Sequence, residues 1–199
     1  MIKRDDGLKI LARHIPDDIV VAVYSTAFDW VQIRPHALNY FAVGAMGLAS
    51  SHGLGLALGR PDRRVIVLDG DGSLLMNLGS LATIANAAPR NFFHFVCENG
   101  TYEANGDHPI PGRDRLSFAG IAREAGYAAT HEYADIAAFE QQISAVLDER
   151  GPVLVDLKLV PGAESPRDYR GLYAAERRAD FRAALKRSAG SPSHSTDAS

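Results

Sequence analysis

Short apolar runs alternate along the chain with longer segments in which apolar residues recur at helical spacing. The apolar runs predict strands at positions 19–24, 39–43, 64–68, 92–97, 126–130 and 152–159. The helical spacing predicts helices at positions 8–14, 44–59, 73–88, 116–125, 134–150 and 169–187. Apolar strands alternating with helices form parallel sheets that are covered on both faces. We therefore predict an α/β fold with a doubly wound, mainly parallel sheet and helices on both faces.

Composition restricts the class of protein. The chain has 199 residues, of which 46% are hydrophobic and 23% are charged, as in an ordinary soluble globular protein. We expect one domain over residues 1–187 and a disordered, small and polar tail over 188–199. The net charge is −3 and no basic block occurs, so we expect neither nucleic acid nor a membrane as a partner. The charged start of the chain and the lack of a membrane-length apolar run predict a cytoplasmic protein.

An acidic turn, Gly-Asp-Gly-Ser at 70–73, follows the predicted strand at 64–68. The glycines allow close approach of a ligand to the backbone, and Ser73 is a candidate cap for the next helix. A helix N-terminus with free N–H groups suits a phosphate, so Gly70, Gly72 and Ser73 are candidate phosphate contacts. Asp71 would then repel the same phosphate unless a divalent cation bound both anions. Mg²⁺ suits this arrangement, because it often combines one or two carboxylates with phosphate oxygens.

A second polar turn, Glu-Asn-Gly at 98–100, follows the predicted strand at 92–97. Asn99 lies 28 residues after Asp71 (99 − 71 = 28), across one predicted helix and one strand. In a parallel sheet both turns reach the same edge, where ligands bind. The amide oxygen of Asn99 and a carbonyl near Gly100, such as that of Thr101, are candidate Mg²⁺ ligands. The alternative is an ordinary acidic loop capped by glycine, which a single short motif would favour. The matching position of the second turn favours the metal site.

The two turns together carry a resemblance. "GDGS" followed by "ENGTY" resembles the cofactor signature of thiamine diphosphate enzymes, and the likeness extends over about positions 19–159. It implies that the chain is the diphosphate-binding domain of such an enzyme, with thiamine diphosphate and Mg²⁺ as cofactors. By that likeness, Mg²⁺ on the diphosphate is held by Asp71, Asn99 and the carbonyl of Thr101.

The stretch "FAVGAMGLASSHGLGLALG" at 41–59 resembles the part of the family that seats the cofactor rings. The resemblance implies that the Gly44 carbonyl accepts a hydrogen bond from the pyrimidine amine, and that Met46 forces the cofactor into its bent form. It also makes Ser25 and Thr26 candidate diphosphate contacts. Without the resemblance, Met46 would be a core residue, and Ser25 and Thr26 would be helix caps.

The family resemblance also implies a partner. In the family a glutamate activates the pyrimidine ring, and it belongs to a separate pyrimidine-binding domain for which this chain has no room. We therefore expect a hetero-oligomer with a pyrimidine-domain (alpha-type) subunit. The motifs look most like those of the sulfopyruvate and phosphonopyruvate decarboxylase group, which implies a 2-oxo acid decarboxylase that acts on a small 2-oxo acid. Alternatives are a carboligase, the β-type subunit of an oxidative 2-oxo acid dehydrogenase, and a degenerate or regulatory cofactor-binding subunit.

The glycine- and proline-rich loop at 98–112 would overhang the cofactor. Loops that follow a binding turn often contact ligands, so Glu103 and His108 are candidate substrate contacts. The loop departs from the group pattern, because Glu103 and Asp107 bring negative charge where a doubly anionic substrate would prefer bases. This difference argues against a sulfonate or phosphonate substrate.

Overall fold

A computed structural model describes residues 1–42, 46–160 and 166–188 of the chain. Its main element is a seven-stranded sheet in the order β1-β9-β5-β4-β2-β3, with β8 also pairing with β9, and every pairing in it is parallel. The sheet strands are β1 (Ile2–Lys3), β2 (Ile19–Ala22), β3 (Asn39–Phe41), β4 (Val65–Gly70), β5 (Phe92–Glu98), β8 (Ala129–Tyr133) and β9 (Val153–Val160). Two further short strands, β6 (Thr101–Tyr102) and β7 (His108–Pro109), form an antiparallel pair.

Helices cover both faces of the sheet. They are α1 (Arg4–His14), α2 (Tyr24–Ile33), α3 (Ala49–Gly59), α4 (Asp71–Leu75), α5 (Ser80–Ala87), α6 (Phe118–Ala125), α7 (Ile136–Leu147), α8 (Tyr169–Leu172) and α9 (Ala175–Ser188). The apolar faces of α1, α2 and α7 pack on one side of the sheet, and those of α3, α5, α6 and α9 pack on the other. The predicted α/β, doubly wound fold is confirmed.

The helix predicted at 73–88 is two helices, α4 and α5, separated by a turn. Asn77 lies in that turn and donates a hydrogen bond from Nδ2 to the carbonyl of Gly47, at 2.9 Å. A Cβ on Gly47 would lie 2.8 Å from the Cβ of Asn77, so the two backbone segments touch. The close contact diverts the chain where apolar spacing alone predicts a continuous helix.

Other segments also differ from the predictions; for example, α1 begins at Arg4 and α3 at Ala49. The strand predicted at 126–130 begins at Ala129, because Gly126 at φ +104° ends α6 in the left-handed conformation. The segment predicted as a loop at 98–112 contains the β6–β7 hairpin, and the helix predicted at 169–187 is divided into α8 and α9. Within the described segments, no helix is long and apolar enough to cross a membrane. The predicted tail lies outside the described residues, apart from Ser188 at the end of α9.

Candidate cofactor-binding site

A cleft lies at the carboxyl ends of β2, β4 and β5. Parallel α/β sheets bind ligands at this edge. Most of the residues singled out from the sequence line this cleft: Ser25, Thr26, Met46, Gly70, Asp71, Gly72, Ser73, Asn99, Thr101 and Glu103. The fold therefore brings together residues from four separate segments of the chain.

Asp71 joins the two polar turns. Its carboxylate accepts hydrogen bonds from the backbone amides of Gly72, at 2.7 Å, and Gly100, at 2.6 Å. The side chain is buried, with 2% of the residue exposed. Burial raises the pKa of the Asp71 carboxyl to about 6, although the Gly72 and Gly100 amides oppose that shift. A cation beside Asp71 would stabilise its ionised form.

Asn99 lies at the end of the second turn and also lines the cleft. Its Oδ1 accepts hydrogen bonds from the backbone amide of Thr101, at 2.8 Å, and from the Thr101 hydroxyl, at 3.1 Å. Its Nδ2 donates to Oε2 of Glu103, at 3.1 Å. The amide is therefore held at both ends, with its oxygen facing Thr101 and its nitrogen facing Glu103.

The predicted capping roles are wrong. The residue before α2 is Val23 and the residue before α4 is Gly70, and neither helix has a side-chain cap. Ser73 instead accepts a hydrogen bond from the backbone amide of Gly47, at 3.0 Å. Helix α4 has only five residues, so its dipole is weaker than the longer predicted helix would supply. Hydroxyl groups and backbone amides are the donors at this edge, and the Gly70 and Gly72 amides already donate to Asp69 and Asp71.

Ser25 and Thr26 lie in the first turn of α2 and line the cleft. Ser25 lies near the Glu103 carboxylate, and Thr26 lies near the Cys97 thiol. Burial raises the pKa of the Cys97 thiol to about 12, consistent with the small buried residue expected of a lone cysteine. Tyr24, which precedes Ser25, has a positive φ of 45°, an uncommon conformation for a non-glycine residue.

Gly72 leaves room for an aromatic ring beside the cleft. A Cβ at this position would overlap Cδ1 and Cε1 of Tyr102, closer than real Cβ atoms approach other atoms. Gly72 therefore lets the second turn pack directly on the first. Glycine is therefore required here to make room for Tyr102, in addition to allowing the close approach of a ligand to the backbone that the sequence indicates.

Met46, Gly44 and His108 differ in their placement. Met46 is partly buried and lines the cleft. Gly44 lies outside the described residues. His108 is exposed on strand β7, where it pairs with Tyr102, and it is not among the residues that line the cleft.

Sequence reasoning missed Arg4, the first residue of α1, which reaches the cleft from the start of the chain. Its guanidinium contacts the carboxylates of Asp29 and Glu103, with Nη2 lying 3.2 Å from Oε1 of Glu103. Arg167 adds a weaker contact, at 3.8 Å from the same oxygen. A cation in the first turn of a helix opposes the helix dipole. An arginine at the first position of a helix therefore indicates a tertiary partner, but the sequence did not predict that α1 begins at Arg4.

Comparison with known proteins identifies the domain. Residues 21–157 match the family described as "Thiamine pyrophosphate enzyme, C-terminal TPP binding domain". The chain belongs to this family. The resemblance drawn from "GDGS" and "ENGTY" is confirmed, and the cleft described above lies within the matched TPP-binding domain.

Two relatives of this TPP-binding domain differ in length. Sulfopyruvate decarboxylase subunit beta of Methanothermobacter thermautotrophicus is 34% identical over 163 residues, which cover 81% of this chain and 84% of that subunit. Phosphonopyruvate decarboxylase of Streptomyces viridochromogenes is 41% identical over 129 residues, which cover 63% of this chain. The alignment covers only 31% of that decarboxylase, so the chain spans about a third of its length.

A solved structure supports the fold. The thiamine diphosphate-dependent 4-hydroxybenzoylformate decarboxylase of Rhodococcus jostii RHA1 superposes with a TM-score of 0.66 at 23% identity. The match covers 82% of this chain and 33% of that one. The TPP-binding domain described here therefore has the same fold as one part of that larger enzyme.

Proposed function

We propose that this chain is the diphosphate- and Mg²⁺-binding subunit of a two-component, thiamine diphosphate-dependent 2-oxo acid decarboxylase. The observation that carries the proposal is the cleft in which Asp71, Asn99 and Ser25 meet inside a TPP-binding domain. The reaction class follows from relatives that are named as decarboxylases. The alignment with subunit beta supports the two-component organisation, because this chain covers 84% of that subunit.

The side chains of the cleft fit Mg²⁺. The ion prefers hard oxygen ligands and commonly takes only one or two carboxylates, the rest being water and phosphate oxygens. Asp71 offers a buried carboxylate, and Asn99 offers an amide oxygen in the same cleft. In the described part of the chain, no three His, Cys, Asp or Glu side chains cluster in a way that could hold a metal ion. A site completed by diphosphate oxygens agrees with such a small protein contribution.

Each part of the cleft has a proposed role. Asp71, Asn99 and the carbonyl of Thr101 would hold Mg²⁺. The diphosphate would contact the hydroxyls and backbone amides around it, at Ser25, Thr26, Gly70, Gly72 and Ser73. Met46 would press on the cofactor rings. Thiamine diphosphate, when bound, supplies the electron-sink chemistry by which a 2-oxo acid loses CO₂.

The pyrimidine-activating glutamate would come from a partner. Glu98 is bonded to Lys158, at 2.7 Å, and Glu103 is bonded to Arg4 at the diphosphate end of the cleft. Both carboxylates are therefore engaged within the chain. Exposed apolar side chains lie beside the Met46 end of the cleft, namely Leu48 and Met76. A partner that covered them would complete the active site and remove apolar surface from water.

The structure changes the argument about substrate charge. In the sequence, the negative charge of Glu103 argues against a doubly anionic substrate. In the structure, its carboxylate is paired with Arg4 and lies 3.8 Å from Arg167. Asp107 is exposed on the hairpin and is not among the residues that line the cleft. The cleft therefore presents no unpaired Glu103 charge to a substrate. A small 2-oxo acid with a second anionic group, of the kind named in the two relatives, is compatible with it.

Titration of thiamine diphosphate and Mg²⁺ into the purified chain, alone and with a candidate pyrimidine-domain subunit, tests the proposal. We expect tight binding and CO₂ release from a 2-oxo acid only in the pair. Pyruvate, sulfopyruvate and phosphonopyruvate are suitable substrates to compare. Product analysis separates the decarboxylase from a carboligase, and an added electron acceptor tests for oxidative turnover. Tight cofactor binding without turnover in any pairing would instead support a regulatory subunit.

A further inference from the structure

Four side chains form a continuous series from the core beside α1 to the edge of the cleft. Asp29 is buried and contacts the guanidinium of Arg4, which is 7% exposed. Arg4 donates to both carboxylate oxygens of Glu103. Glu103 in turn accepts a hydrogen bond from Nδ2 of Asn99, at 3.1 Å. The last member of this series is a proposed metal ligand, and the first is anchored in the core.

Contacts with Glu103 on one side and Thr101 on the other fix which way the Asn99 amide points. A carboxylate accepts hydrogen bonds and donates none when it is ionised. The nitrogen of Asn99 must therefore face Glu103, and the oxygen must face away from it, toward Thr101. Without Glu103, Thr101 alone would hold the amide, which could then turn more easily and present its nitrogen, which cannot bind a metal cation.

Arg4 holds the Glu103 carboxylate in place. Two guanidinium nitrogens bind the carboxylate, which restricts its rotation more than one contact would. Arg4 itself is held by Asp29 on its other side.

We propose that Glu103 is a positioning residue that orients the Asn99 oxygen toward the metal, and that Arg4 holds Glu103 for this purpose. The inference rests on the proposed function, because it requires Mg²⁺ at Asn99. Partners that orient metal ligands typically change metal affinity by about 10- to 100-fold when they are removed. The alternative is that Glu103 blocks the diphosphate position, in which case its removal would tighten cofactor binding.

Calorimetric titration of Mg²⁺ into the full chain with excess thiamine diphosphate, in the presence of its partner subunit if required, measures the effect directly. We expect Glu103→Ala to raise the half-saturating Mg²⁺ concentration by about tenfold or more. Glu103→Gln keeps one oxygen that can accept from Asn99, so its loss should be smaller. Asp107→Asn is the matched control, because it removes a negative charge from the same hairpin without contacting Asn99. We expect it to bind Mg²⁺ as the wild type does.

A second background separates orientation from simple structural damage. Asn99→Asp has two equivalent oxygens and needs no orientation, so Glu103→Ala should no longer weaken Mg²⁺ binding there. Should the alanine variant unfold, Glu103→Gln in both backgrounds gives the same comparison. Equal weakening in both backgrounds, or unchanged or tighter binding in Glu103→Ala, would overturn the inference alone. A wild-type protein that binds no Mg²⁺ with the cofactor would instead remove the proposed function and this inference together.

Discussion

The carboxylate of Asp71 accepts a hydrogen bond from the backbone amide of Gly100, which lies 29 positions later in the chain and 2.6 Å away. This bond joins the turn after β4 to the turn after β5 before any ligand is considered. Preformed geometry lowers the ordering cost of binding. The metal end of the proposed site is therefore organised by the chain itself.

Replacing Asp71 with alanine should abolish Mg²⁺-dependent binding of thiamine diphosphate. The diphosphate would lose its bridging cation, and Gly100 would lose its hydrogen-bond acceptor. We expect a loss of more than about 100-fold, because a direct ligand should matter more than the residues that orient ligands. Fluorescence or calorimetric titration at several Mg²⁺ concentrations measures it, with circular dichroism to show that the variant is folded. If a folded Asp71→Ala variant bound thiamine diphosphate with unchanged affinity, Asp71 would not be a Mg²⁺ ligand.

Gly72→Ala should weaken cofactor binding, because the new methyl group would overlap the ring of Tyr102 and push the second turn away from the first. We expect a loss of about tenfold or more in cofactor affinity, by analogy with disturbed ligand-supporting contacts. Gly55→Ala is the matched control, since a methyl group at that position of α3 would have no neighbour within 4 Å. That change should add about 0.5–1 kcal/mol to the free energy of unfolding and leave binding unaffected. Equal cofactor affinities for the two variants would contradict the steric argument.

The pattern of apolar runs predicts the sheet and the edge at which the site lies, because strand burial and parallel order follow from short-range spacing. The positions of Asp71 and Asn99 follow from the same reasoning, since each comes directly after a buried strand. Local spacing does not predict the break after α4. That break depends on the contact between Asn77 and Gly47, which are 30 positions apart.

Arg4 shows the second limit of sequence reasoning. Its partner Glu103 lies 99 positions away, and no periodicity connects them. Read alone, Glu103 is a free acid in a loop, and the sequence therefore argues against an anionic substrate. The fold pairs it with a buried arginine and removes that argument. Charge at a site can be assigned only when the partners that the fold supplies are known.

Met46→Ala should leave the fold intact and reduce turnover of the assembled enzyme far more than it weakens cofactor binding. Met46 is partly buried, so its stability cost should be below the roughly 2–5 kcal/mol of a fully buried methionine. Steady-state kcat and the concentration of thiamine diphosphate at half-maximal rate separate the two effects. Leu58→Ala, at an apolar residue of α3 that is 57% exposed, is the control and should change neither value. If Met46→Ala turned over substrate at the wild-type rate, Met46 would have only a packing role.

Asp156 predicts a pH dependence of stability outside the cleft. The residue is fully buried on β9, and Lys158 donates to its Oδ2 at 2.9 Å and to Glu98 at 2.7 Å, with Glu132 a further 3.3 Å from the ammonium. Burial first, and then the charge of Glu98, raise the pKa of Asp156, while Lys158 opposes the shift. Burial acts to lower the pKa of Lys158, but its bonded carboxylates outweigh burial and raise that pKa, so Lys158 stays charged at neutral pH.

A raised carboxyl pKa means that the folded state binds the Asp156 proton more tightly than the unfolded state does. The contribution is therefore fully present below the ordinary Asp pKa of about 4 and is lost as pH rises through the folded pKa. Asp156→Asn cannot lose this proton, so its free energy of unfolding should fall less than that of the wild type between about pH 5 and 8. The difference can reach about 1.4 kcal/mol per pH unit for one group. Urea unfolding at several pH values measures it, with the exposed Asp107→Asn as the control. Parallel pH profiles for Asp156→Asn and the wild type would show that Asp156 is already ionised throughout this range.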